Sequence, residues 1–471
     1  MLLTRDKGFY RELILIALPL AAENAVRFLM TLADNLMVGR LGDMETGAAY
    51  CGMQISSAFV MLIAGIEGGM LVGSAQQRGS GNKRAAGRTA LFGIATILIL
   101  GALMSAASFL FPKVIVSPFL RGRDMETAAE YLRALAFSFI PTALSGAIGT
   151  YLKCIERPIG CTVSAIGALL AELYFGSGLI FGAFGMPRLG AIGSAAAFSI
   201  AKGVETLLLS AFALRYLRAS LKENKKAQLK AEERASAKEY LGFLSLTSPI
   251  LLGQAVWIFN TLFSAFVIGR LNSGAEFAAF AIANTLNAVT YIIPNALSVS
   301  LGLKIGKTVG EGDMRSLKSF TYTAEVIFIA IGAVSAISLG LIAKPFVSLY
   351  GVSAEARGVA VSLIRVLSVT TAATTFGNSL VSGTVRAGGD TSFILKNDSA
   401  FIFLAVIPLS LVALKLGAPV WLTFLALKCD HILKCIPAAF RIHGFRWVRP
   451  VVKAERGRGR AEQKQKNEAS Y

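Results

Sequence analysis

Apolar runs of about twenty residues recur along the whole chain, and each is long enough to cross the ~30 Å hydrocarbon core of a bilayer as a helix. In the first half they fall near 13–38, 47–76, 89–117, 131–152, 162–184 and 191–214. In the second half they fall near 241–268, 277–303, 319–347, 358–384, 393–414 and 418–440. Backbone groups in lipid find no water to bond, so such spans must be helices rather than open strands. An all-α integral membrane protein of about twelve helices is therefore expected. Composition agrees: hydrophobic residues make up 54% of the 471, charged residues 16%, and the mean hydropathy is +0.61, the wrong balance for a soluble chain.

Lys and Arg test this count, because they collect in the cytoplasmic loops of membrane proteins. The N-terminus, the 78–88 loop, the 215–238 stretch, the 304–318 loop and the tail after Ile442 are basic. The intervening loops near 40, 121, 188, 270, 344 and 415 are nearly bare, giving about thirty basic residues on one side against about nine on the other. Both termini are thus expected in the cytoplasm, with the protein multi-pass in the cell membrane. The same bias accounts for most of the net charge of +19 and argues against a nucleic-acid partner. Membrane lipid is the expected surrounding, and the basic end can touch anionic headgroups.

The chain divides into an N-terminal six-helix bundle (1–214), a charged cytoplasmic linker (215–240), a C-terminal six-helix bundle (241–444) and a basic, disordered tail (445–471). Five cysteines lie on or beside apolar helices without metal-ligand spacing, and their odd number argues against a disulfide framework. The first helix is too long, and lacks the small-residue cleavage site, to be a removable signal peptide.

The halves repeat one another. PLAAENAVRFLMTLADNLMVGRL from Pro19 lies without a gap over PILLGQAVWIFNTLFSAFVIGRL from Pro249. RGSGNKRAAGR then corresponds to VGEGDMRSLKS, and YLKCIERPIG to TVRAGGDTSF. Six helices per half bring both halves into the membrane in the same direction, so the repeats are related by an axis along the membrane normal. Two such bundles with a cavity between them make an alternating-access architecture, with substrate near the midplane.

With ADNLMVGRLG ending the first helix, a small-residue GxG loop after the second helix of each half and GTVRAGGDT after the tenth, residues 8–445 resemble the multidrug and toxic compound extrusion (MATE) family. The resemblance implies a secondary transporter that exchanges sodium ions or protons for organic, often cationic, compounds. No cofactor beyond that coupling ion is implied, and a monomer is expected.

Charges inside the spans are costly and mark function by default. On the first helix Glu23 and Arg27 lie about 40° apart and Asp34 about 20° from Arg27. Glu23 and Arg27, four apart, can pair, which leaves Asp34 without a partner on its own helix. A buried carboxylate favours its protonated form and a nearby cation its charged form, so such a group can bind and release a proton or metal ion. The resemblance implies that Asp34 is the N-half cation or proton site. The Asn and Asp that sodium-binding members carry on the fifth helix fall here at Glu172 and Gly176, and their sixth-helix Thr near Phe198 or Ser199. This departure favours protons.

Glu67 lies off the Gly65–Gly69–Gly73 stripe and is a further coupling candidate, as is Glu23; Glu205 pairs with Lys202. Asp34 is the metal-binding candidate if sodium couples. In the second half, family carboxylate positions on the seventh and tenth helices fall at Trp257 and Thr375. The remaining polar groups there are neutral, so ion coupling belongs to the N-half, and neutral or aromatic substrate contacts to the C-half. The substrate-cavity candidates are Arg27, Gln254, Trp257, Asn260, Asn284, Asn287 and Asn378. Pro19, Pro249 and Pro294 are expected bend points.

A flippase of the same wider superfamily, moving a lipid or lipid-linked oligosaccharide, is the alternative. Such a transporter favours a strongly cationic cavity, whereas the interior bases read from this sequence are few: Arg27, Arg133, Lys202 and Arg365. An enzyme is not expected, since no nucleophile–base motif, Walker loop or metal-ligand pair stands out.

Overall fold

The computed structural model describes residues 3–41, 43–118, 122–223, 237–271, 274–350 and 353–450. The first half comprises α1 (Lys7–Val38), α2 (Asp43–Gly79), α3 (Lys83–Leu110), the short α4 (Pro112–Val116), α5 (Gly122–Cys154), α6 (Ile159–Phe181) and α7 (Ala191–Glu223). The second comprises α8 (Ala237–Gly269), α9 (Gly274–Thr290), α10 (Ile292–Glu311), α11 (Met314–Ser348), α12 (Ala354–Thr374), α13 (Thr391–Phe401), α14 (Ile407–Lys415), α15 (Val420–Leu433) and α16 (Cys435–His443). Among the described residues there is no strand.

Helices long and apolar enough to cross a membrane number 11 among the described residues. The twelfth expected span is the broken pair α15–α16. Its break has a local cause: Pro437 has no N–H to offer the Leu433 carbonyl, and α15 ends at Leu433. Pro294 acts in the same way on Thr290, where α9 gives way to α10. Pro408 follows a wide-turned stretch at Ile402–Val406. Pro19 and Pro249, by contrast, stay inside continuous helices. Wide turns also occupy Thr375–Leu380 and Ser382–Arg386, just past α12; such turns often occur at functional positions.

In the first half α7 packs on α5 and α6, α5 on α2 and α3, and α1 on α6. In the second, α12 packs on α9, α11 and α15. The halves meet chiefly where α2 touches α8 and α10, and α1 touches α10. At the end carrying the basic loops this meeting is a seal. A Cβ on Gly79 would collide with the Lys307 carbonyl, and one on Gly310 with the Gln76 carbonyl. These two contacts are images of each other under the repeat, since Gln76 and Gly79 stand to α2 as Lys307 and Gly310 stand to α10. Gly306, whose added Cβ would lie 2.8 Å from that of Ala75, completes the close approach. Small residues admit such backbone contact between helices in lipid.

Two expected boundaries move. Residues 215–223 extend α7 and 237–240 begin α8, so the linker is shorter than 215–240; its remainder, 224–236, lies outside the described residues. The tail is ordered where it begins. Trp447 is fully buried, its indole N–H donates to the Ile442 carbonyl at 3.0 Å, and Arg449 pairs with Asp390 at 3.1 Å. A buried Trp needs both a large apolar socket and a partner for its N–H, and the bare backbone at Gly388 leaves room for the ring. Residues 451–471 lie outside the described residues.

Candidate functional site

The first half holds two polar groupings. In the first, Ser194 on α7 donates a 2.7 Å hydrogen bond to Asp34 Oδ1 on α1. Glu172 on α6 is fully buried, both of its carboxylate oxygens lack a hydrogen-bond partner among the described residues, and it lies within electrostatic reach of Asp34. Tyr131 on α5 closes the group within reach of Asp34, Glu172 and Ser194. Gly52 makes space for its ring, since a Cβ there would collide with it. On the sixth helix it is Ser194, about one turn before the expected Phe198 or Ser199, that reaches Asp34.

The second grouping is an ion-pair network. Arg27 bridges Glu23 at 3.0 Å and Glu205 at 2.5 Å, Lys202 meets Glu205 at 2.9 Å, and Lys153 meets Glu23 at 3.4 Å. Glu67 joins from α2: its carboxylate lies over Gly146, where a Cβ would come within 2.5 Å of Oε1, and it interacts with Thr150 and Lys153. Burial of so many charges is tolerable only because each finds a partner. Arg27 therefore belongs to this network and not to the central cavity, and Glu23 is held by two cations. Of the carboxylates expected to couple transport, Glu23 is held in ion pairs and Glu67 faces Lys153 and Thr150, whereas Asp34 has only the Ser194 hydroxyl and Glu172 has no hydrogen-bond partner among the described residues.

The second half is not neutral. Lys434 is 1% exposed and lies 3.4 Å from both Asp398 and Asp430. Its ammonium sits 4.6 Å from the centre of the Trp257 ring, and the indole N–H donates to Asp398 at 3.2 Å. His431 stacks on Trp257 with ring centres 5.8 Å apart. Trp257 stands on α8, the seventh span, but the charged residues and His431 come from α13, α15 and the α15–α16 break, not from the seventh and tenth spans where family carboxylates were sought. The segments LKNDS and LKCDHILK carry them, and the cost of intramembrane charge was the signal that could have found them.

Beside this cluster lies a cavity of about 380 Å³ between the halves. Gln254, Trp257, Asn295, Arg386 and Asp398 contribute to its polar wall. Asn260, Asn284 and Asn287 do not line it; Asn260 is buried within α8's packing instead. The Asn378 side chain lies outside the described residues. The interior bases also differ from those expected, since Arg133 and Arg365 are exposed whereas Lys153, Lys434 and Arg386 lie inside. Helical phase decides this, turning the first two outward.

The MatE family model matches residues 19–176 and 249–412, one match in each half. The chain belongs to the MatE family. Among curated relatives of this MatE chain, the multidrug resistance protein PmpM of Pseudomonas aeruginosa is 24% identical over 76% of this chain and 75% of its own. The multidrug resistance protein NorM of Burkholderia vietnamiensis is 25% identical over 71% of each chain. Solved MatE-like folds include a MATE protein in a straight conformation, with a TM-score of 0.81 and 16% identity over 94% of this chain and 99% of that one. A mutant of the Vibrio cholerae MATE transporter VcmN reaches 0.83 at 15% identity, covering 94% and 98%. This MatE protein is accordingly a multi-pass membrane transporter of the multidrug efflux family.

Proposed function

We propose that this chain is a secondary antiporter that exports organic compounds in exchange for protons, with Asp34 and Glu172 as the coupling pair. The observation that carries the reading is the pair itself: two buried carboxylates within electrostatic reach, one held only by a hydroxyl and the other by nothing. Burial favours a carboxyl that takes up a proton and approach of a like charge strengthens that preference, while Lys202, within electrostatic reach of Glu172, acts the other way. A sodium site would need a fuller shell of oxygens at fixed distances. The transported compound would occupy the cavity between the halves, against the polar wall that Gln254, Asn295 and Arg386 contribute to.

The basic loops support a cytoplasmic location for both termini and for the Gly79–Gly310 seal. The described state is then closed toward the cytoplasm. Alternating access requires this seal to part while the outer ends of the halves come together.

Purified protein in liposomes tests the reading. Uptake of fluorescent organic compounds, one cationic and one zwitterionic with a carboxylate, is followed under an imposed proton gradient and under a sodium gradient, for the wild type and Asp34→Asn. Proton-driven uptake that disappears in the variant is expected; uptake driven by sodium alone would overturn the coupling assignment.

A further inference from the structure

We propose that Arg386 is an anion-recognising residue of the central cavity, so that the compounds bound there carry a carboxylate or phosphate group. The inference rests on the transporter reading and adds the substrate's chemistry to it.

The internal repeat supplies the argument. Lys153 in YLKC and Arg386 in TVRA occupy corresponding places. In the first half Lys153 is 3.4 Å from Glu23 and within reach of Glu67. Each acid has a counterpart in the second half. The ungapped match from Pro19 and Pro249 sets Glu23 against Gly253. The paired seal contacts fix the register of α2 against α10, which sets Glu67 against Ser298. The second half thus keeps the cation and replaces both of its acids by small residues.

Those small residues, Gly253 and Ser298, line the cavity with Arg386. A Cβ added to Gly253 would meet nothing within 4 Å, so the space of the missing acid is open. The Arg386 guanidinium makes no hydrogen bond or ion pair among the described residues. Asp398, the acid that acts on it electrostatically, is already shared by Lys434 and the Trp257 indole. A guanidinium withdrawn from bulk water and left unpaired is costly, and its planar fork matches the two oxygens of a carboxylate or phosphate. A ligand acid would therefore do for Arg386 what Glu23 does for Lys153.

Arg386 also reaches the other half. Its Nη1 lies 3.8 Å from where a Cβ on Gly68 would stand. An anion held there sits at the boundary that must part during transport, so its presence can bias the opening of the halves.

The test uses full-length protein, in detergent for equilibrium binding and in liposomes for transport. The probes are a fluorescent coumarin carboxylic acid, its methyl ester, and a fluorescently labelled phosphatidylglycerol. Arg386→Gln removes the guanidinium; Gly253→Glu keeps it and restores an acid beside it. Both variants are first shown to be monodisperse and to melt near the wild type. Since a hydrogen bond to a charged group contributes about 1.5–3 kcal/mol, each variant should weaken carboxylate binding about tenfold or more while leaving the ester within about twofold. A loss confined to the labelled lipid would identify a headgroup phosphate as the ligand.

Equal effects on acid and ester, or no effect of either variant on any probe, would overturn the inference. Arg386-dependent binding without movement of any probe would instead sink the transporter reading and leave the inference standing. If the wild type binds neither acidic probe, the inference fails.

Discussion

Glu205→Gln is the perturbation whose cost can be worked most directly from the structure. Glu205 is 1% exposed and accepts from Arg27 at 2.5 Å and from Lys202 at 2.9 Å. The network balances acid for base: Glu23, Glu67 and Glu205 against Arg27, Lys153 and Lys202. Neutralising Glu205 leaves one surplus positive charge, and Lys202, itself 6% exposed, loses the acid it pairs with at 2.9 Å. Breaking a buried pair from one side costs about 3–5 kcal/mol, because the surviving charge stays desolvated. For a cooperative unit of 150–250 residues, about the size of one half, 1 kcal/mol moves the melting temperature by about 2–4 °C. A fall of about 6–20 °C is therefore expected when the purified variant is melted in detergent and followed by size-exclusion fluorescence. The double variant Lys202→Met with Glu205→Met removes the pair and restores the balance, and apolar replacements of buried pairs are often neutral. It should melt closer to the wild type than Glu205→Gln does. A double variant that melts as low as the single one, or lower, would refute the charge-balance reasoning.

Gly52→Val should push the Tyr131 ring off the Asp34–Glu172 group. Proton-driven uptake should fall strongly while binding of the organic probe in detergent persists; unchanged uptake would separate Tyr131 from coupling. Gly310→Val cannot be accommodated with the seal closed and should favour the state open at that end, raising the reactivity of cysteines introduced beside Gln76 toward a water-soluble maleimide. No rise in labelling would show that the seal adjusts without opening. Trp447→Ala should destabilise the protein by about 3–5 kcal/mol, as large core truncations do, with a matching loss in detergent melting; a shift near zero would mean that the tail is not part of the core.

Much of the fold was legible because lipid imposes length and polarity rules that single residues cannot evade. The apolar runs marked the spans, and the ungapped match from Pro19 to Pro249 marked the repeat. Spacing along one helix also foretold contacts within it: Glu23 with Arg27, and Lys202 with Glu205. What spacing could not give was the partner on another helix. Ser194 and Tyr131 reach Asp34 only through the way α5 and α7 pack around α1, and Lys153 reaches Glu23 across the bundle. The charged cluster around Lys434 escaped because positions were carried over from a resemblance, while the acids of this chain stand on different helices. Pro437 and Pro294 broke helices where the chain also packs polar groups, whereas Pro19 and Pro249 did not, so the residue alone does not decide.

The paired contacts at Gly79 and Gly310 mean that one motif, inherited twice, forms both sides of the gate. Each copy is the other's doorstop: the glycine of one half receives a carbonyl of the other, and the reverse. Neither side can be widened or tightened alone without breaking the match, so drift at either glycine should constrain its counterpart. The two halves are free to diverge in what they carry, as Lys153 and Arg386 have, only so long as they go on closing alike.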